Sequence, residues 1–236
     1  MSVRDRVAVI TGAAGNLGTA VTTRFLAQGA RVVASCLSPA EHDALCSAFP
    51  DQPNLLAIAA DVTVESDVER LMAEAHSQLG GPHLLLNLVG GYAAGTALAD
   101  TDLATWDHML SLNLKSVFLC CKHALRYMGP QDYGRIVAVS SKVAVDLPAR
   151  SAAYAVSKAG VVTLVKCLAD ELKGTNVSVT AIMPSIIDTP VTRSARPKAD
   201  CSKWVTPEQI AEVLLLLAGE EARTVNGAVL PLFGGL

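Results

Sequence analysis

The sequence predicts an α/β fold of the Rossmann type: a doubly wound parallel sheet of about seven strands with helices on both faces, forming a single domain over residues 1–236. Three observations predict it. Short aliphatic runs alternate with longer stretches of helical period. A glycine-rich turn follows the first run directly and leads into a helical stretch. The composition is 51% apolar but only 4% aromatic, which suits helices packed closely on a sheet that is buried on both sides.

The aliphatic runs lie at 7–10, 31–35, 55–59, 83–88, 135–140, 177–182 and 228–232. Helices are expected between them at about 17–28, 39–48, 64–79, 102–128, 151–173 and 206–219. This alternation builds βαβ units with right-handed crossovers. The stretch at 184–206 has three prolines, mixed charge and no clear period, so it is expected to be a substrate loop within the domain. No repeat, low-complexity tract or interdomain linker interrupts the pattern.

A net charge of −3 gives no field that would draw nucleic acid or an anionic membrane, and neither is expected as a partner. The densest apolar run, at 213–218, is too short to span a bilayer. No basic leader precedes the first strand, so a cytoplasmic protein is expected. The cysteines Cys36, Cys46, Cys120, Cys121, Cys167 and Cys201 show neither a C-x-x-C pair nor zinc-ligand spacing. They are expected to be reduced and mostly buried, with no metal site.

The turn reads Thr11-Gly12-Ala13-Ala14-Gly15-Asn16-Leu17-Gly18. A glycine-rich turn between a strand and a helix N-terminus cradles a pyrophosphate, because free backbone N–H groups and the helix dipole both meet negative charge. Asn16 suits such a turn because Asn tolerates positive φ. A dinucleotide is therefore expected at Gly12, Gly15, Asn16, Leu17 and Gly18. A dinucleotide fold usually places an acid at the end of strand two, where it accepts from the ribose 2′-OH. Here that position holds Cys36, and the missing acid tilts the cofactor toward NADP(H). Asp61, just past the third run, can take the adenine amino group or cap the helix near Val64.

Tyr154 and Lys158 stand four residues apart in a helical stretch and so share one face. A phenol exchanges protons poorly at neutral pH, and a fixed ammonium nearby would favour its phenolate. By itself such a pair is as readily a surface pair. Ser141, at the end of the fifth run and thirteen residues before Tyr154, lies where a parallel sheet presents its C-terminal edge to ligand. Asn113 falls inside the 102–128 helix, where an amide is unfavourable; it is either a surface residue or part of a proton relay through water.

With these residues in view, the chain resembles a classical short-chain dehydrogenase/reductase over nearly its whole length. Residues 11–18 resemble the family's cofactor turn, and Asp61-Val62 its adenine contact. Asn87-Leu88-Val89-Gly90 resembles its Asn-Asn-Ala-Gly strand end, and Asn113, Ser141, Tyr154 and Lys158 its catalytic tetrad. The segment 183–189, with Pro184, Ile187 and Thr189, resembles the one that holds the nicotinamide carboxamide.

The resemblance implies NAD(P)(H) and a small-molecule carbonyl or alcohol substrate, with Tyr154 as general acid/base. Lys158 would lower its pKa and hold the nicotinamide ribose, Ser141 would position the carbonyl, and Asn113 would bind a relay water. It also implies a symmetric homo-oligomer, a tetramer, formed through the 102–128 and 151–173 helices with apolar residues such as Val117, Phe118, Val161, Val162 and Val165.

Three positions depart from the family pattern. The turn has the glycine spacing of the extended branch, which includes epimerases and dehydratases, but 236 residues leave no room for that branch's added domain. Leu88 replaces an Asn and Ser185 a Gly. Segments at 89–95, 188–190 and 199–204 are similar to dihydropteridine reductases, which makes a pterin one candidate substrate. The alternatives to an active oxidoreductase are a non-catalytic NAD(P)-binding regulator and an epimerase or dehydratase that retains NAD.

Overall fold

Every aliphatic run forms a strand, and every helical stretch folds between two of them. The computed structural model describes residues 3–235. Its elements run β1 (Val7–Thr11), α1 (Asn16–Ala27), β2 (Arg31–Cys36), α2 (Pro39–Ala48), β3 (Leu55–Ala59), α3 (Glu65–Leu79), β4 (Leu84–Asn87), α4 (Leu103–Leu110), α5 (Ser116–Met128), β5 (Gly134–Val139), α6 (Val143–Asp146), α7 (Ala152–Glu171), β6 (Val177–Pro184), α8 (Pro190–Ala195), α9 (Pro207–Ala218) and β7 (Val229–Leu232).

All neighbouring strands are parallel, in the order β3-β2-β1-β4-β5-β6-β7. Both faces are covered, which is why the strands read as continuous apolar runs rather than alternating ones. Val7, Val9 and Leu85 pack under α3, α5 and α7, whereas Ala8, Ile10, Leu84 and Leu86 pack under α1 and α9. The chain leaves β1 toward β2 and returns to its other side at β4. The crevice beyond the carboxyl ends of β1 and β4, where Thr11 pairs with Asn87, is therefore the switch point at which such sheets bind ligands.

Local signals set the helix ends. Ser38 accepts the Glu41 N–H at 3.2 Å ahead of Pro39. Thr206 and Gln209 form a reciprocal capping box ahead of Pro207. These caps satisfy orphan N–H groups, each typically worth about 1 kcal/mol.

Several expectations need correction. The 102–128 helix is not regular: α4 and α5 are joined by a π-turn at Ser111–Lys115. The segment 184–206 is not a bare loop, since it closes β6 at Pro184 and carries α8 behind a Thr189–Thr192 capping box. Only half of the cysteines are buried; Cys46 and Cys167 are exposed and Cys201 is intermediate. Val117, Val161 and Val165 are core residues, which leaves Phe118 exposed and Val162 half-buried on the outer face. The run at 213–218 is too short to span a bilayer, as expected, but among the described residues α7 is long and apolar enough by length and composition. It lies against the sheet, however, with Val161, Val165 and the charged residue Lys158 buried beneath it.

Candidate active site

In the turn after β1 the Gly15 N–H closes onto Gly12 O at 3.1 Å. Gly12 adopts φ +68°, and the Ala13 N–H is tied to Ser35 O at 2.9 Å, which anchors the turn to β2. Asn16 needs no positive φ. It is the first residue of α1, and no side chain caps that helix start among the described residues. A Cβ on Gly18 would overlap the Gly12 carbonyl and lie 2.6 Å from Ala13 Cα. Gly18 therefore lets the start of α1 close onto the turn. These features fit a pyrophosphate held by the first N–H groups of α1. Gly18→Val is expected to splay the turn and to abolish NADH and NADPH binding in a fluorescence titration, with the far-UV CD spectrum retained. Binding as tight as the parent's would place the cofactor elsewhere.

At the end of β2, Cys36 is buried and its thiol donates to Ile58 O at 3.6 Å. Burial pushes this thiol up, and the nearby Glu41 carboxylate adds to the effect. Glu41 reaches back from α2 and accepts the Leu37 N–H at 2.7 Å. Asp61 does not cap α3. Its carboxylate accepts from the Thr63 N–H and hydroxyl at 2.9 and 2.7 Å, and the N-cap is Val64. Val62 beside it is buried.

The four polar residues of the expected tetrad converge at the carboxyl ends of β4 and β5. Ser141 lies two residues past β5; its hydroxyl accepts the Val143 N–H at 3.3 Å and is near enough to the Tyr154 phenol to pull its pKa down. Burial is the larger influence and pushes Tyr154 up; Tyr92 adds to that, with its ring edge-on to Tyr154 at 5.0 Å between centroids. Lys158, one turn along α7, is buried and donates to Val139 O at 2.8 Å. Loss of water pushes its amine down to about 8. The expected lowering of Tyr154 by Lys158 is not seen in this arrangement: Lys158 is not among the groups that shift the phenol, and its amine donates to a strand carbonyl.

Asn113 is fully buried in the π-turn. Its Oδ1 accepts the Gly91 N–H at 2.9 Å, and its Nδ2 donates to Gly91 O at 3.1 Å and Ser157 Oγ at 3.0 Å. The turn exists because the Ser116 N–H reaches back five residues to Ser111 O, while the Ser116 hydroxyl satisfies Leu112 O at 2.6 Å. Such π-turns are rare and cluster at functional sites. Gly90 closes the group, since a Cβ there would fall 2.9 Å from Asn113 Oδ1 and 3.0 Å from Lys158 Nζ. Val89 borders Gly12, and Asn87 donates to Cys121 Sγ at 3.9 Å. The buried Asn87 Oδ1 has no partner among the described residues.

The segment after β6 joins the same edge. The Lys142 N–H donates to Pro184 O at 2.9 Å, Ile187 bridges to Val205, and Thr189 caps α8. Ser185 has a local purpose: its hydroxyl donates to Phe233 O at 2.9 Å. Gly95 N–H donates to Arg150 O at 2.7 Å, joining the loop after β4 to the one before α7. Leu147 and Arg150 there adopt φ +48° and +61°, the kind of local strain that gathers at ligand-binding edges. Sequence reasoning gave no role to Tyr92, Ser157 or Glu41. The Glu41 contact was foreshadowed by its position three residues after the helix cap Ser38, where a carboxylate commonly reaches back to backbone.

Comparison with known proteins agrees with this geometry. The short chain dehydrogenase family model matches residues 6–200. The 2-(R)-hydroxypropyl-CoM dehydrogenase of Xanthobacter autotrophicus is 34% identical, over 98% of both chains. The 3-oxoacyl-[acyl-carrier-protein] reductase of Thermotoga maritima is 32% identical, over 100% of this chain and 99% of the relative. A short-chain dehydrogenase/reductase structure from Serratia marcescens superposes with a TM-score of 0.91 at 30% identity, over 100% of this chain and 99% of that one. By fold, by full-length similarity and by the family model, the chain belongs to the classical short-chain dehydrogenase/reductase family and is an NAD(P)-dependent oxidoreductase.

Proposed function

We propose that Tyr154 carries the proton in a hydride transfer between the nicotinamide cofactor and a ketone or secondary alcohol. The observation that carries this reading is the gathering of Ser141, Tyr154 and the buried Lys158 amine at the open end of β5, with Asn113 and Lys158 both against Gly90. When bound, the nicotinamide supplies or accepts the hydride. Tyr154 gives its phenolic proton to the carbonyl oxygen in reduction and takes it back in oxidation. Ser141 donates to the same oxygen and fixes its position. Lys158 holds the nicotinamide ribose through its remaining N–H groups. Asn113 acts through Gly91 and Ser157, so it positions the site, and a relay water would be held by the backbone around it rather than by its engaged amide.

In this reading Gly12, Gly15, Asn16, Leu17 and Gly18 hold the pyrophosphate, and Asp61 and Val62 border the adenine. Asn87, Val89 and Gly90 line the switch-point crevice, and Pro184, Ile187 and Thr189 receive the carboxamide. The segment at 184–206 covers the substrate. The hydroxypropyl and 3-oxoacyl groups in the names of the two relatives support a secondary alcohol or ketone. The missing acid at Cys36 favours NADP(H), but the carboxylate of Glu41 beside it weighs the other way. The test is oxidation of NADH and NADPH by a panel of ketones, aldehydes and a quinonoid dihydropterin, with the reverse reaction on the matching alcohols. Six free cysteines fit a reducing, cytoplasmic setting.

A tetramer is supported by exposed Phe118 on α5 and Val156 on α7, both about half accessible in the single chain. Light scattering at micromolar concentration is expected to give four times the chain mass; a monomer would contradict it.

A further inference from the structure

We propose that Glu41 is the residue that selects NAD(H) over NADP(H), by occupying with its own carboxylate the donor that a 2′-phosphate would need. The proposal rests on the Gly12–Gly18 turn being the dinucleotide site. A dinucleotide lying across that turn carries its adenosine ribose past the carboxyl end of β2. The residue at that end, Cys36, is buried against Ile58 O and offers the ribose nothing. The next backbone donor is the Leu37 N–H, at a position whose side chain is exposed. A free N–H at a strand end attracts an anion, and here it already has one: Glu41 Oε2 at 2.7 Å.

Glu41 is held there from both sides. Its own N–H is fixed by the Ser38 hydroxyl at 3.2 Å, and Pro39 sets the entry into α2. The carboxylate lies close enough to the Cys36 thiol to raise it. It therefore stands in, from the helix, for the acid that β2 lacks. A ribose 2′-OH can donate to the carboxylate oxygen not used by Leu37, whereas a 2′-phosphate would meet like charge. The segment 36–48 contains no Lys or Arg. Past β3, the Arg70 guanidinium is committed to Ala59 O at 2.8 Å and to Asp67 and Glu74 at 3.3 Å.

The experiment is fluorescence titration of NADH and NADPH into the parent, Glu41→Gln, Glu41→Arg and Arg70→Gln, with far-UV CD on each. The parent is expected to bind NADH roughly tenfold or more tighter than NADPH. Glu41→Gln narrows that ratio mainly by tightening NADPH, and Glu41→Arg inverts it. Arg70→Gln leaves it unchanged. A parent that prefers NADPH, a ratio unmoved in both folded Glu41 variants, or a selective loss of NADPH in Arg70→Gln would each overturn the proposal while leaving the dinucleotide site intact. Failure of the parent to bind either cofactor would overturn the site and the proposal together.

Discussion

Replacing Tyr154 by Phe is expected to abolish turnover and to leave cofactor affinity nearly unchanged. The ring remains, and with it the edge-on packing against Tyr92 at 5.0 Å, so the fold and the pocket survive. What is lost is the hydroxyl beside Ser141, the group proposed to move a proton to the substrate oxygen. General acid–base catalysis typically contributes about 10²–10⁴-fold, and the loss belongs in kcat, since the interaction is made only as charge develops. Steady-state kinetics together with cofactor titration separates the two quantities. A variant keeping more than about a tenth of the parent rate would have lost only ~1.4 kcal/mol of transition-state stabilisation, too little for an essential acid.

Lys158→Met is expected to remove activity and yet not to weaken the protein at neutral pH. Lys158 is 4% exposed, and burial brings its amine from an ordinary 10.5 to about 8. Below about 8 the folded protein carries a charge in a place that disfavours it. Between about 8 and 10.5 the unfolded chain binds the proton and the folded one does not, so stability rises with pH through that window. It is complete above the unfolded value and is lost as pH falls toward the folded one. The shift corresponds to the order of ~3 kcal/mol, set against the loss of the bond to Val139 O, worth about 1 kcal/mol. Urea denaturation of the cofactor-free proteins is expected to show the Met variant equal to or more stable than the parent at pH 7, with the parent overtaking it as pH rises from about 8 to 10.5. A difference in stability that does not change with pH would show that the amine is not desolvated. Cofactor affinity should also fall in the variant, which separates it from Tyr154→Phe.

The strands were legible because parallel sheets buried on both faces demand unbroken aliphatic runs, and Val7, Val9, Ala8 and Ile10 divide between the two cores as that requires. The helices at 39–48 and 206–219 were legible by period, and their starts are fixed by the Ser38-Pro39 and Thr206-Pro207 caps. The π-turn was not legible: it depends on Asn113 finding both amide partners on Gly91, twenty-two residues away in sequence, and on Ser116 rescuing a carbonyl. Outward and inward apolar residues on α5 and α7 could not be told apart either, because Val117 and Phe118 differ only in which side of one helix meets the sheet. At the site, the grouping of Tyr154, Lys158 and Ser141 was expected from the family resemblance, since their spacing alone left a surface pair open. Their electrostatics were not, since burial and the Val139 carbonyl, rather than their mutual spacing, set the state of Lys158. The acid missing at Cys36 was sought on β2, whereas Glu41 delivers one from α2.

The central claim, that this chain passes hydride directly between a nicotinamide and a carbonyl carbon, is tested by reduced cofactor deuterated at the transferable ring carbon. With the best ketone from the panel, mass spectrometry of the product alcohol is expected to find the deuterium on the carbinol carbon, one label for each cofactor oxidised. A product carrying solvent hydrogen at that carbon would contradict the account. So would a cofactor that binds at the Gly12–Gly18 turn yet is oxidised by no carbonyl compound in the panel.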